Sequence, residues 1–132
     1  MKIPNEELIF AIHGWGLWAT WSVLGILQIA TLRYFKCCHQ ANMVLHILIG
    51  ILILFSTIAL GVMMTFYVGE ASNVNDEIHA TLGEITIFTV GAIAAIGIIS
   101  RVFMRSLTWK TKFILRSKVL HSILGYLLIF IS

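Results

Sequence analysis

Charge is the first scarcity. Only 11% of the 132 residues are Asp, Glu, Lys or Arg, against about 25% in an ordinary soluble domain, while 59% are apolar. That balance excludes a typical soluble globular domain and a disordered tail. It also excludes a nucleic-acid binder, because the net charge of +3 is not laid on a soluble scaffold. Cysteine is equally scarce. Cys37 and Cys38 are adjacent, so there is no disulfide framework and no redox compartment to read from them. Cys-x-x-Cys-His is absent, so any haem would be held without covalent attachment. The opening Met1-Lys2-Ile3-Pro4-Asn5-Glu6-Glu7 has no basic n-region, and no small-residue cleavage site follows it. The first apolar run is therefore expected to be a span and not a removable signal peptide. Glu6 and Glu7 argue against a mitochondrial presequence as well.

What the chain has instead is long runs without charge. Leu8 to Leu32, Cys37 to Gly69 and Val119 to Ser132 carry none, and Ile78 to Ser100 carries only Glu84. A helix needs about 20 apolar residues to cross a hydrocarbon core of about 30 Å. In lipid a helix also satisfies its own backbone, which an open segment cannot do. The reading is all-α: one polytopic membrane domain over residues 1–132, with spans at roughly 8–32, 41–68, 78–102 and 118–132. Four spans joined by short connections form an antiparallel four-helix bundle. The fourth run covers only about 21 Å of helix, so the chain is expected to continue past Ser132. Between spans, Ser72-Asn73-Val74-Asn75-Asp76 is turn-prone. The segment 103–117 mixes basic residues with Leu107, Trp109, Phe113 and Ile114, as an interfacial helix with Trp109 at headgroup level would.

Basic residues are one-sided. Antiparallel spans put the first and third connections on one face, and these hold Arg33, Lys36, Arg101, Arg105, Lys110, Lys112, Arg116 and Lys118. Glu6, Glu7, Glu70, Asp76 and Glu77 lie on the other face with Lys2. The basic side is expected to face the cytoplasm, or the matrix of an organelle, with both termini opposite. Membrane lipid with anionic headgroups is one expected partner of those loops.

Four of the five histidines fall one per span: His13, His46, His79 and His121, with His39 in the basic connection. An ionisable residue inside a membrane is a functional-site candidate by default. Direction along the chain pairs them. Spans one and three start on the same side, so His13 and His79 share a depth near the acidic face. Spans two and four start on the other side, so His46 and His121 share a depth near the basic face. His13 and His46 would each lie about 7 Å into the core, leaving about 15 Å between the two levels. Two facing imidazoles match zinc poorly, which takes four protein ligands. They match a haem iron well, because the porphyrin supplies the other four nitrogens; with both axial positions filled, electron transfer is favoured over oxygen chemistry. His46-x-x-x-Gly50, His79-x-x-x-Gly83 and His121-x-x-x-Gly125 share one pattern. Residues i and i+4 lie on one helix face, so each glycine clears room where a flat macrocycle would press, or allows close helix packing. Span one has His13-Gly14-Trp15-Gly16 instead.

Other residues carry bland readings beside functional ones. Glu84 is a proton-carrier candidate or a protonated carboxyl with an ordinary hydrogen bond. Trp15, Trp18 and Trp21 form a three-residue stripe, read as packing or lipid contact before haem lining. Met63, Met64 and Met104 are read as core filler. Cys37-Cys38-His39 is read as an unmodified connection, with soft-metal binding or palmitoylation as the functional alternatives.

The stretches His13-Gly-Trp-Gly-Leu-Trp-Ala-Thr-Trp, Leu32-Arg33-Tyr34-Phe35-Lys36, Val44-Leu45-His46, His79-Ala-Thr-Leu-Gly83 and His121-Ser-Ile-Leu-Gly-Tyr126, in this order and spacing, resemble the cytochrome b561 family, in particular the membrane domain joined to DOMON domains. The resemblance covers nearly the whole chain. It implies two non-covalent b-type haems, one on His13 and His79 and one on His46 and His121. It implies an oxidoreductase-type activity, electron transfer across a membrane, often from ascorbate to monodehydroascorbate or ferric chelates. Arg33 and Lys36 fall where the family has a basic cluster linked to ascorbate, and an anionic donor would be drawn to such a cluster in any case. Family members usually have six spans, of which this sequence matches the inner four. A homodimer or a larger membrane assembly is the expected context. The competing reading is a haem-bearing or haem-less anchor subunit of a larger complex, such as a respiratory one. A small channel is disfavoured, because only Glu84 offers a polar path and the histidines fall into pairs and not a chain.

Overall fold

A computed structural model of the chain describes residues 6–35, 38–68, 74–106 and 111–131, and among these every regular element is helical. The first rod is continuous but not uniform: α1 (Glu6–Trp18) passes through a π-helical segment (Ala19–Gly25) into α2 (Ile26–Arg33). Then come α3 (His39–Val68), α4 (Val74–Ser106) and α5 (Thr111–Ile131). Three stretches among the described residues are long and apolar enough to cross a membrane: Glu7–Arg33, His39–Tyr67 and Glu77–Val102. Their lengths of 27, 29 and 26 residues exceed the 20 or so that a crossing needs, which marks the chain as a membrane protein. Large apolar side chains lie bare accordingly, with Phe66 81% and Phe88 78% exposed; facing lipid, such groups carry no penalty.

The threonines show how hydroxyls sit in such helices. Thr20, Thr57, Thr65, Thr81 and Thr86 each donate to the carbonyl four residues earlier, Gly16, Ile53, Gly61, Glu77 and Leu82 respectively. A hydroxyl satisfied by its own helix avoids the cost of an unpaired polar group in an apolar medium. Helix ends follow charge. Arg33 lies in the last turn of α2, where a cation meets the negative end of the helix dipole. Tyr34 N–H closes that end on Ala30 O at 2.9 Å, and the Asn42 amide donates to Phe35 O across the connection into α3.

Two boundaries depart from expectation. Val74, Asn75 and Asp76 belong to α4 and not to a turn. The segment 103–117 is not an interfacial helix of its own. Residues 103–106 extend α4 and 111–117 open α5. At 21 residues α5 is about 32 Å long, so it is not the short piece that its charge-free run suggests. Charge ends an apolar run, but Lys and Arg are good helix formers and do not end a helix. Ser72, Asn73, Leu107, Trp109, Glu70, Cys37 and Lys36 lie outside the described residues.

Packing divides the chain into two compact units, 1–87 and 88–132, with the division inside α4. In the first unit, α1, the π segment and α2 all pack on α3. His13 meets Leu60 and Gln28 meets His46, so early residues of one helix face late residues of its neighbour. Gly16 permits this approach: a Cβ there would lie 2.9 Å from a Leu60 methyl. Trp21, Ile49 and Ile53 are buried here, with Thr20, Thr31 and Thr57. In the second unit Val90, Ile93 and Leu128 are buried, and Ser100 donates to Ser117 at 3.0 Å between α4 and α5.

Candidate functional site

His13 on α1 and His79 on α4 come together in the first unit, with ring centroids 6.1 Å apart and planes at 72°. Two imidazoles bound end-on to one metal have centroids about 6 Å apart, since each metal–nitrogen bond takes about 2.0–2.1 Å and each ring about 1 Å more. The angle between the planes is unconstrained by such an arrangement, because both planes contain the bond axis. Among the described residues no group of three or more His, Cys, Asp and Glu is assembled. The donor set is thus a pair of imidazoles, which fits a metal whose remaining ligands come from a macrocycle. Gly14, beside His13, and Gly83, one turn beyond His79, both face open space, with no atom within 4 Å of where a Cβ would stand.

Three of the four span histidines share a second feature. His13 Nδ1 lies 3.3 Å from Leu60 O, His46 Nδ1 lies 2.9 Å from Gln28 O, and His121 Nδ1 lies 3.0 Å from Ile93 O. A carbonyl only accepts, so in each case Nδ1 carries the proton and donates. Nε2 is then the nitrogen with the lone pair. This is the arrangement by which a backbone carbonyl fixes tautomer and ring orientation in metal-ligating histidines. Each acceptor lies on a neighbouring helix, so helix packing sets the ring position.

The glycines at i+4 divide. Gly83 and Gly125 face open space. The space at Gly50 is taken by the Gln28 amide, whose nitrogen would be 2.5 Å from a Cβ. His121 instead lies against Gly97, with Cε1 3.0 Å and Nδ1 3.3 Å from a Cβ placed there. Along α3, the Leu60 and His46 levels are about 21 Å apart. His46 belongs to the first unit and His121 to the second.

Other expected residues fall as follows. Arg33 is exposed at the end of α2, and Lys36 lies outside the described residues. Glu84 is exposed on α4, Cys38 is an exposed free thiol, and His39 is exposed at the start of α3. The tryptophan stripe splits: Trp15 and Trp18 are exposed and stack edge to face at 5.9 Å, whereas Trp21 is buried. Helix winding explains this. Spacing by three already drifts about 60° per step in an α-helix, and the i+5 bonding of the π segment, with more residues per turn, turns Trp21 further from the other two. Gln28, Thr31 and Gly97 were not singled out from the sequence. Gln28 carried a signal, as the one Asn or Gln between Leu8 and Leu32; Gly97 carried none, because its role depends on which residue of α5 lies opposite.

No family model matches the chain, and no curated protein or solved structure matches it either.

Proposed function

We propose that the chain is a transmembrane electron carrier of the cytochrome b561 type, an antiparallel bundle of four spans with its basic connections toward the cytoplasm or matrix and both termini opposite. His13 with His79 would hold one b-type haem and His46 with His121 a second, each supplying an iron that takes up and releases one electron. The observation that carries the reading is the His13–His79 pair, at 6.1 Å between ring centroids. The second pair rests on the direction of the spans read from the sequence. The chain's own residues do positional work. Leu60 O, Gln28 O and Ile93 O take the Nδ1 protons, and so present Nε2 as the ligating nitrogen. Two histidines per iron leave no open coordination position, which suits electron transfer. Arg33 and Lys36 at the basic face are suited to an anionic reductant such as ascorbate, and the bare apolar faces to lipid, a second copy or a larger assembly.

The test is a reduced-minus-oxidised visible spectrum of the purified chain with haem-to-protein stoichiometry. Two b-type haems per chain are expected, falling to one in His13→Ala and in His79→Ala. A folded sample without haem would sink the proposal and leave an anchor subunit.

A further inference from the structure

Gln28 and His46 grip each other reciprocally. The His46 ring donates to the Gln28 backbone carbonyl at 2.9 Å, and the Gln28 side-chain amide reaches the His46 backbone carbonyl at 3.4 Å. The same Gln28 carbonyl takes the Thr31 hydroxyl at 2.7 Å. Thr31 is 1% exposed, the most buried side chain among the described residues, so the acceptor is held from a site that cannot move easily. Gly50, one turn after His46, completes the arrangement: the Gln28 amide lies where any other residue would put its Cβ, 2.5 Å from the amide nitrogen.

We propose that Gln28 is a positioning residue for His46, seated on Gly50 and anchored through Thr31, and that this latch sets the tautomer and rotation of the His46 ring. The purpose of the latch rests on reading His46 as a haem ligand; its existence does not. Gly50 is then required by a side chain of the neighbouring helix. A Cβ there would displace the amide, the mobile end of the side chain, from its seat and so from the His46 carbonyl. Shortening Gln28 would remove the same contact.

The experiment is nitrogen NMR of the His46 ring in the full chain, 15N-labelled at histidine, in lipid nanodiscs under reducing conditions. The wild type is expected to show Nδ1 protonated. Gly50→Ala is expected to speed exchange of the His46 Nδ1 proton with water by about two- to tenfold, the worth of one such hydrogen bond. Gln28→Ala alone is expected to act alike, the double variant to depart from wild type no further than either single change, and Gly91→Ala, where a Cβ meets nothing, to leave the ring unchanged. The proposal is overturned if Gly50→Ala or Gln28→Ala leaves the His46 ring unaltered, or if the two effects add in the double variant. Should Gly50→Ala fail to fold, Gln28→Ala alone carries the test, and an unaltered ring there overturns the proposal equally. A chain that follows these changes yet binds no haem keeps the latch and loses the electron-carrier reading. A chain with two haems and an insensitive His46 keeps that reading and loses the latch.

Discussion

Gly97→Ala should destabilise the protein by about 1–3 kcal/mol more than Gly91→Ala. Both glycines lie within α4, so the helix-propensity gain of about 0.8–1 kcal/mol is common to both and cancels in the comparison. The surroundings differ. A Cβ at Gly91 meets no atom within 4 Å, whereas one at Gly97 stands 3.0 Å from His121 Cε1 and 3.3 Å from Nδ1. The imidazole is rigid and cannot yield at its tip as a Leu or Met would. Swinging it away would break the 3.0 Å bond from Nδ1 to Ile93 O, worth about 0.5–1.5 kcal/mol; leaving it in place costs overpacking of about 1–3 kcal/mol. The expected difference corresponds to about 5- to 150-fold in the unfolding equilibrium, since each 1.4 kcal/mol is tenfold. Mixed-micelle denaturation followed by helical circular dichroism measures it. In a His121→Ala background the penalty should vanish, because the atoms that Cβ would meet are gone. Equal stability of Gly97→Ala and Gly91→Ala, or a penalty that persists without the imidazole, would refute the reasoning.

Two further tests address packing and sidedness. Ile53→Ala, at a position 3% exposed, should cost about 2–5 kcal/mol, while Phe66→Ala, at a position 81% exposed, should stay within about 0.5 kcal/mol in the same denaturation assay. Similar losses at both sites would mean that Phe66 is covered by another chain. In a Cys37→Ser background, Cys38, which is exposed, should react with a membrane-impermeant maleimide only once the cytoplasmic face is opened; labelling of intact cells from outside would reverse the assigned orientation.

Much of the helix layout was legible from composition. Runs free of charge over 20 or more residues leave a backbone in lipid little choice but helix, and the three stretches suited to crossing follow those runs closely. The ends were less legible. Arg33 sits where the helix dipole favours it, but Lys112, Arg116 and Lys118 do not stop α5, because solvation of a side chain and hydrogen bonding of the backbone are separate matters. The tryptophan stripe shows the limit of ideal periodicity. Spacing by three drifts about 60° per step in an α-helix, so Trp21 already stands about 120° from Trp15, and the π segment turns it further.

Chain direction was enough to expect His13 beside His79, because two spans that start on one side of a membrane place residues of equal offset at equal depth. Depth says nothing about rotation. Which carbonyl receives each Nδ1, why Gly50 is occupied by Gln28, and why His121 rests on Gly97 and not on a glycine of its own helix are all decided by how one helix is turned against the next. Apolar runs and charge asymmetry come from transfer between water and lipid, which acts on each segment alone and is therefore written along the chain. Register and rotation come from side chains fitting between helices, an interaction of residues distant in sequence, and only the folded packing resolves it.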